Sequence, residues 1–150
     1  GYGAQAALIE VDIETGQIEV LQVWSANNAG KVINPAGVFG QSAGGLHMGL
    51  GWTVMEEIVQ YESQLRTRRL SEYHIPTAVD MPPEFTDIQI EVPDPTGPYG
   101  AIGVGETPLL STAPAVLIAL CDATGIYLDR IPATPECVWR ALRGAGRVRP

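Results

Sequence analysis

Gly37, Gly40, Gly44, Gly45, Gly49 and Gly51 fall inside a stretch that otherwise has the pattern of one long helix. Asn34-Pro35 makes a plausible start, with Pro35 at the first helical position. The pattern runs on to about Val59, with Leu46, Leu50, Trp52, Val54, Met55 and Ile58 supplying apolar faces. A glycine in a helix interior costs about 1 kcal/mol relative to alanine. Six of them need a physical reason, and that reason is close approach of another backbone or of a ligand. The fold must therefore press something hard against this helix.

Two strands precede it. Residues 6–13 and 17–24 are β-branched and partly alternating, and Glu14-Thr15-Gly16 between them has the length and glycine of a short hairpin turn. Asn27-Asn28-Ala29-Gly30 reads as a turn cluster. Residues 60–83 read as loop and short turns, and residues 85–92 alternate well enough for a third strand. The proline- and glycine-rich residues 93–100 exclude regular structure. Pro108 to Thr124 reads as a buried helix ended by Gly125, and Pro135 to Leu142 as a last short helix. The expected class is α+β in a single domain, residues 1–150: a small antiparallel sheet, the glycine-rich long helix and a second buried helix.

Composition narrows the partners. A chain of 150 residues can bury a real core. Its charged fraction of 17% is below the usual quarter, a mild sign of surface meant to be covered. Net charge is −8, and Arg140, Arg143, Arg147 and Arg149 are four of only nine basic residues. Nucleic acid and anionic membranes require basic patches, so neither is expected as a partner. The arginine-rich end reads as a solvated helix terminus and tail. Cys121 and Cys137 suggest neither a metal cluster nor a disulfide framework. Cys121, in an apolar run, reads as a buried small hydrophobe, and the cysteine use permits a reducing, cytoplasmic location. No run of eighteen apolar residues suggests a membrane span. The opening Gly1-Tyr2-Gly3 carries no leader pattern and runs straight into a strand, so a fragment or separately encoded small subunit is expected.

Two residues could carry chemistry. Glu106 follows Gly103-Val104-Gly105 between an apolar loop and an apolar helix. A carboxylate in apolar surroundings has its charged form disfavoured, which suits it to general-base work near neutral pH. The plainer alternative is an acid placed at a helix N-terminus by the dipole, and spacing alone favours that reading. Gln41, flanked by Gly40, is either an exposed helix glutamine or an amide that meets a ligand edge. His47 and His74 lack partners at metal spacing, and Trp24 and Trp52 read as packing residues.

Four blocks in register carry a resemblance. They are the hairpin with Val11-Asp12-Ile13-Glu14-Thr15-Gly16 and the Asn28-to-Asn34 turn after it; Asn34-Pro35, Gly40-Gln41-Ser42-Ala43-Gly44-Gly45, Gly49-Leu50-Gly51 and Glu56-Glu57; Glu72-Tyr73-His74-Ile75-Pro76-Thr77; and residues 97–106 followed by Ala113-Pro114-Ala115, Asp122-Ala123-Thr124-Gly125 and Ile131-Pro132-Ala133-Thr134-Pro135-Glu136. Together they resemble the carboxy-terminal part of the molybdopterin-binding large subunit of xanthine dehydrogenase/aldehyde oxidase-type molybdenum hydroxylases. The resemblance implies part of a molybdenum cofactor-binding domain in an oxidoreductase that hydroxylates an aldehyde or N-heterocycle with water-derived oxygen. It implies that Glu106 is the base that activates a metal-bound hydroxyl. It also implies that Gln41 contacts the pterin, with Gly40, Gly103, Val104 and Gly105 beside the cofactor, whether plain molybdopterin or its cytosine dinucleotide form. Iron–sulfur clusters and FAD are implied on other domains or subunits, which would be partners together with the remaining molybdopterin-binding domains and a small-molecule substrate. The isolated chain would then be inactive. Ile102, Asn28, Ile118 and Tyr127 stand where the family often has lysine, aspartate, asparagine and arginine. Those replacements keep open a second reading, an assembly module that retained the fold and lost the activity.

Overall fold

A computed structural model describes residues 1–146. The chain begins with strands β1 (Tyr2–Val11) and β2 (Ile18–Asn28), followed by helix α1 (Pro35–Leu50) and a wider π-type turn, Gly51–Met55. A two-rung ribbon, β3 (Gln60–Tyr61) and β4 (Gln64–Leu65), and the single turn α2 (Leu70–Tyr73) lead to strand β5 (Glu84–Ile90). Helices α3 (Thr107–Leu110), α4 (Thr112–Thr124) and α5 (Pro135–Gly144) complete it. The α+β class, the glycine-rich helix and the small sheet are as expected. Arg147 and Arg149 of the expected arginine-rich tail lie outside the described residues.

The sheet itself corrects one expectation. β1 and β2 form the antiparallel hairpin, but β5 joins β2 in parallel, with Trp24 opposite Thr86 and Ala26 opposite Ile88. The order β1-β2-β5 is therefore a mixed sheet. A parallel neighbour needs a long crossover, and α1 is the longest element in it. The strands are also longer than expected: Asn27 and Asn28 close β2 instead of forming a turn, and β1 reaches back to Tyr2. A bulge between Leu8 and Ile9 sets one extra residue in β2.

Only one face of the sheet is covered. Val23, Ser25 and Asn27 point inward and are buried beneath α1 and α4. Val23, Leu46, Leu50 and Val116 form one core cluster; Leu120, Ile126, Ala133, Val138 and Leu142 form a second against α5. Helix α4 joins the two, because Val116 and Leu120 stand one turn apart on its inner side.

Local chemistry explains the helix ends. Asn34 caps α1, accepting from the Gly37 N–H at 3.1 Å with Pro35 in the first turn. Thr134 caps α5 through the Cys137 N–H. Gly125 ends α4 in the left-handed conformation, φ 73. The expected single helix from Pro108 is broken at Ser111, and it is only half buried: Ile118 is 67% and Leu110 74% exposed. By length and composition the stretch Thr107–Thr124 could cross a membrane, contrary to the reading from apolar runs. Its inner side packs instead on β1 and α1, with Thr112, Val116 and Leu120 sealed. Cys121 is partly exposed, because it stands on the rim of a groove beside α4 rather than in the core.

Candidate functional site

The glycines of α1 divide into two groups. A Cβ on Gly45 would stand 2.9 Å from the Pro108 Cβ and 3.0 Å from the Leu109 N. One on Gly49 would meet the Thr112 side chain at 2.5–2.9 Å. These two glycines let α3 and α4 lie directly on α1. Gly40 and Gly44, one turn apart, meet nothing within 4 Å. They lie with Gln41 on the side of α1 that faces away from the sheet, where all three are exposed.

The loop that carries Glu106 approaches this side of the molecule from across the fold. The Ile102 N–H donates to the Ala29 carbonyl (2.9 Å) and the Lys31 N–H to the Gly100 carbonyl (2.7 Å), so residues 100–102 are pinned to the end of β2. Among the described residues, the N–H groups of Gly103, Val104 and Gly105 have no partner. Gly103 and Gly105 also have open space where a Cβ would stand. Glu106 follows at the N-cap position of α3, exposed, and its side chain makes no capping hydrogen bond. Its carboxylate therefore neither caps the helix nor lies in the apolar surroundings expected from its neighbours in sequence.

Gln41, Ile102 and Val104 line one cavity of about 310 Å³, closed by Val38 and residues 31–34. The structure thus brings Gln41 together with the glycine loop, although 63 positions separate Gln41 from Val104. Glu106 does not line that cavity; it stands two residues beyond Val104. The apolar Ile102 packs under this space. Asn28 keeps the acceptor function an aspartate would have, receiving the Gly30 N–H at 2.9 Å and the Val92 N–H at 3.2 Å. Ile118 and Tyr127 lie on a separate, apolar groove of about 830 Å³ beside α4.

Electrostatics hold the rim of the small cavity. Glu91 accepts from Lys31 Nζ at 2.9 and 3.0 Å and from the Val32 N–H at 2.9 Å. The Lys31 hydrogen bond first, then the Val32 N–H, keeps its carboxyl below the ordinary glutamate value of 4.5. His47 contacts the Pro76 carbonyl at 2.9 Å, a structural tie rather than a ligand position. Sequence reasoning missed one group, the half-buried Gln5 and the buried Ser25, Asn27, Ser42 and Thr112 behind the site. Their signal was present. Gln5, Ser25 and Asn27 share the inward phase of their strands with Ala7 and Val23, where apolar residues belong.

A bulky planar ligand fits this arrangement: four positions lack a Cβ where space is open, an exposed amide stands among them, and free peptide N–H groups lie opposite. Residues 1–82 match the family model of a molybdopterin cofactor-binding domain. The chain is 34% identical over 145 residues to a probable xanthine dehydrogenase subunit of Bacillus subtilis (strain 168), across 97% of this chain and 19% of that protein. It is 38% identical over 146 residues to the nicotine 6-hydroxylase large subunit of Paenarthrobacter nicotinovorans, across 95% of this chain and 18% of that protein. The crystal structure of quinoline 2-oxidoreductase from Pseudomonas putida 86 superimposes with a TM-score of 0.87 at 32% identity, covering 93% of this chain and 18% of that one. The chain therefore spans about a fifth or less of the length of these curated relatives.

Proposed function

The chain belongs to the molybdopterin cofactor-binding domains of the xanthine dehydrogenase and aldehyde oxidoreductase family, and from that membership we propose that it forms one wall of the molybdenum cofactor site of a hydroxylase. The observation that carries the proposal is the shared open face, where Gln41 and the Gly103–Gly105 loop line or border one space that glycines keep clear. The substrate is an aldehyde or an N-heterocycle, and the incorporated oxygen comes from water. Relatives named for nicotine and quinoline support the heterocycle class.

Gln41 would hold the pterin edge with its amide, which offers both donors and an acceptor. Gly40 and Gly44 let the helix backbone come close, and Gly103, Val104 and Gly105 line the opposite side. When bound, molybdopterin, in its plain or cytosine dinucleotide form, would present the molybdenum that accepts the two electrons of the oxidation. Glu106 is the general base: its carboxylate accepts the proton from the water-derived oxygen as that oxygen is transferred to substrate carbon. Among the described residues, no group of side chains could hold a metal to pass the electrons onward. The family resemblance implies iron–sulfur clusters and FAD on other domains or subunits, and those are the partners proposed here, in a cytoplasmic complex. The isolated chain is accordingly inactive.

Replacing a positioned general base removes about 10²–10⁴ in rate. Glu106→Gln in the complete enzyme is therefore expected to lower kcat by at least about 100-fold while molybdenum and pterin content stay at wild-type levels. Unchanged turnover would remove Glu106 as the base. A second reading, a non-catalytic assembly module, is favoured by the exposed Ile118 and Tyr127 on the apolar groove beside α4. Absence of molybdopterin from the properly assembled complex would decide for it.

A further inference from the structure

Behind the open face, a chain of polar side chains, buried except for the half-buried Gln5, connects its two halves. Asn27 Nδ2 on β2 donates to Ser42 Oγ on α1 at 3.2 Å and to Ser25 Oγ at 2.9 Å. Gln5 Nε2 on β1 donates to the same Ser25 Oγ at 3.1 Å and to the Pro108 carbonyl of α3 at 2.6 Å. Thr112 Oγ1 on α4 closes the line, donating to Gln5 Oε1 at 2.8 Å. Ser25, Asn27 and Ser42 are fully buried and Thr112 is 1% exposed.

The ends of this line fall beside the proposed site. Ser42 directly follows Gln41, and Pro108 stands two residues after Glu106. A core built only for stability has little use for such a group. Buried polar atoms cost free energy unless every one is paired, and Asn27 Oδ1 has no partner. What the network adds over an apolar filling is directional geometry, since hydrogen bonds fix orientation as apolar packing does not. We propose that Thr112, Gln5 and Asn27 are positioning residues that lock α1 to the start of α3, so that Gln41 and the Glu106 loop hold a fixed separation across the cofactor. This inference rests on the functional reading above.

Thr112 offers a clean test, because valine keeps its shape against Gly49 and removes only the donor. In the complete enzyme, Thr112→Val is expected to lower kcat by about tenfold, as a displacement of a fraction of an ångström does, with KM and cofactor content unchanged. The paramagnetic resonance spectrum of the partly reduced metal should shift as well. Hydrogen exchange should rise together at residues 41–45 and 103–110. Thr112→Ser, which restores the hydroxyl, should return these readouts toward wild type. Val138→Ala, a core truncation at the far cluster, serves as a control for general loss of stability and should leave kcat and both segments unchanged. Wild-type kcat, spectrum and exchange in Thr112→Val would overturn the proposal, as would the same changes in Val138→Ala. Glu106→Gln is measured in parallel: unchanged turnover there fails the base assignment, and the exchange readout still decides the network on its own.

Discussion

Glu91 joins two segments with one carboxylate: from its own position just past β5 it accepts from the Lys31 ammonium and the Val32 N–H at the mouth of the cavity. Hydrogen bonds to the ionised form hold its pKa below 4.5, so the stabilisation has a defined pH window. With the folded value depressed, the contribution is fully present above the unfolded value and is lost as pH falls through the folded one. Both partners are exposed at the surface, so the effect is small and screened by salt. Glu91→Gln is expected to lower the melting temperature at pH 7 and to match wild type once the pH is well below 4.5; a difference that persists in acid would refute the linkage. Residue chemistry of this kind was only partly legible in the sequence. Asn34 and Gly125 announced their roles, because capping acceptors and left-handed glycines act locally. The Glu91–Lys31 pair, sixty positions apart, exists only because β5 lies beside β2.

At the scale of elements, α1 shows how two demands share one helix. Its sheet-facing side needs Gly45 and Gly49 so that α3 and α4 can touch it; its outer side keeps Gly40 and Gly44 with none of the described residues upon them. The two groups should respond in opposite ways to alanine. Gly44→Ala is expected to stabilise the cofactor-free protein by about 1 kcal/mol through helix propensity, and to reduce molybdenum content in the complete enzyme. Gly49→Ala should destabilise it by about 1–3 kcal/mol, because the new methyl overpacks Thr112. Denaturant melts and metal analysis read both, and full cofactor loading in Gly44→Ala would show that the open glycines face nothing functional. The excess of glycine was visible in the sequence, but not which glycines serve packing. The helix start was readable from Asn34-Pro35, whereas its end was not: apolar residues continue to Ile58 while the backbone loosens at Gly51 into a π-type turn. The parallel seat of β5 was equally hidden, since alternation along a strand reports its faces and not its neighbour's direction.

The whole molecule is a sheet with one dressed side. On the other lie Ala4, Ala6 and Leu8 of β1, Trp24 and Ala26 of β2, and Ile88 and Ile90 of β5, in register across three strands. Leu8, Ile88 and Ile90 are 49%, 45% and 42% exposed. An apolar face of this extent is uncommon on a free domain, and it agrees with the low charged fraction noted from composition. The isolated chain should therefore bind a hydrophobic dye, and Leu8→Glu with Ile88→Glu should sharply reduce dye fluorescence without lowering the melting temperature. Undiminished fluorescence in that double variant would place the dye elsewhere, for instance in the groove beside α4.

The parallel pairing of β2 with β5 has one more consequence. It divides the crossover between them into a half that the site depends on, α1 with the residues that brace it, and an outlying half, residues 56–69, none of which lines the Gln41 cavity. The second half is short turns and loop, anchored at both ends by ordered elements. Insertions and deletions there would change the outline of the protein without altering the separation of Gln41 and Glu106. The fold thus leaves residues 56–69 as a tract whose length can change while the Gln41–Val104 cavity keeps its walls.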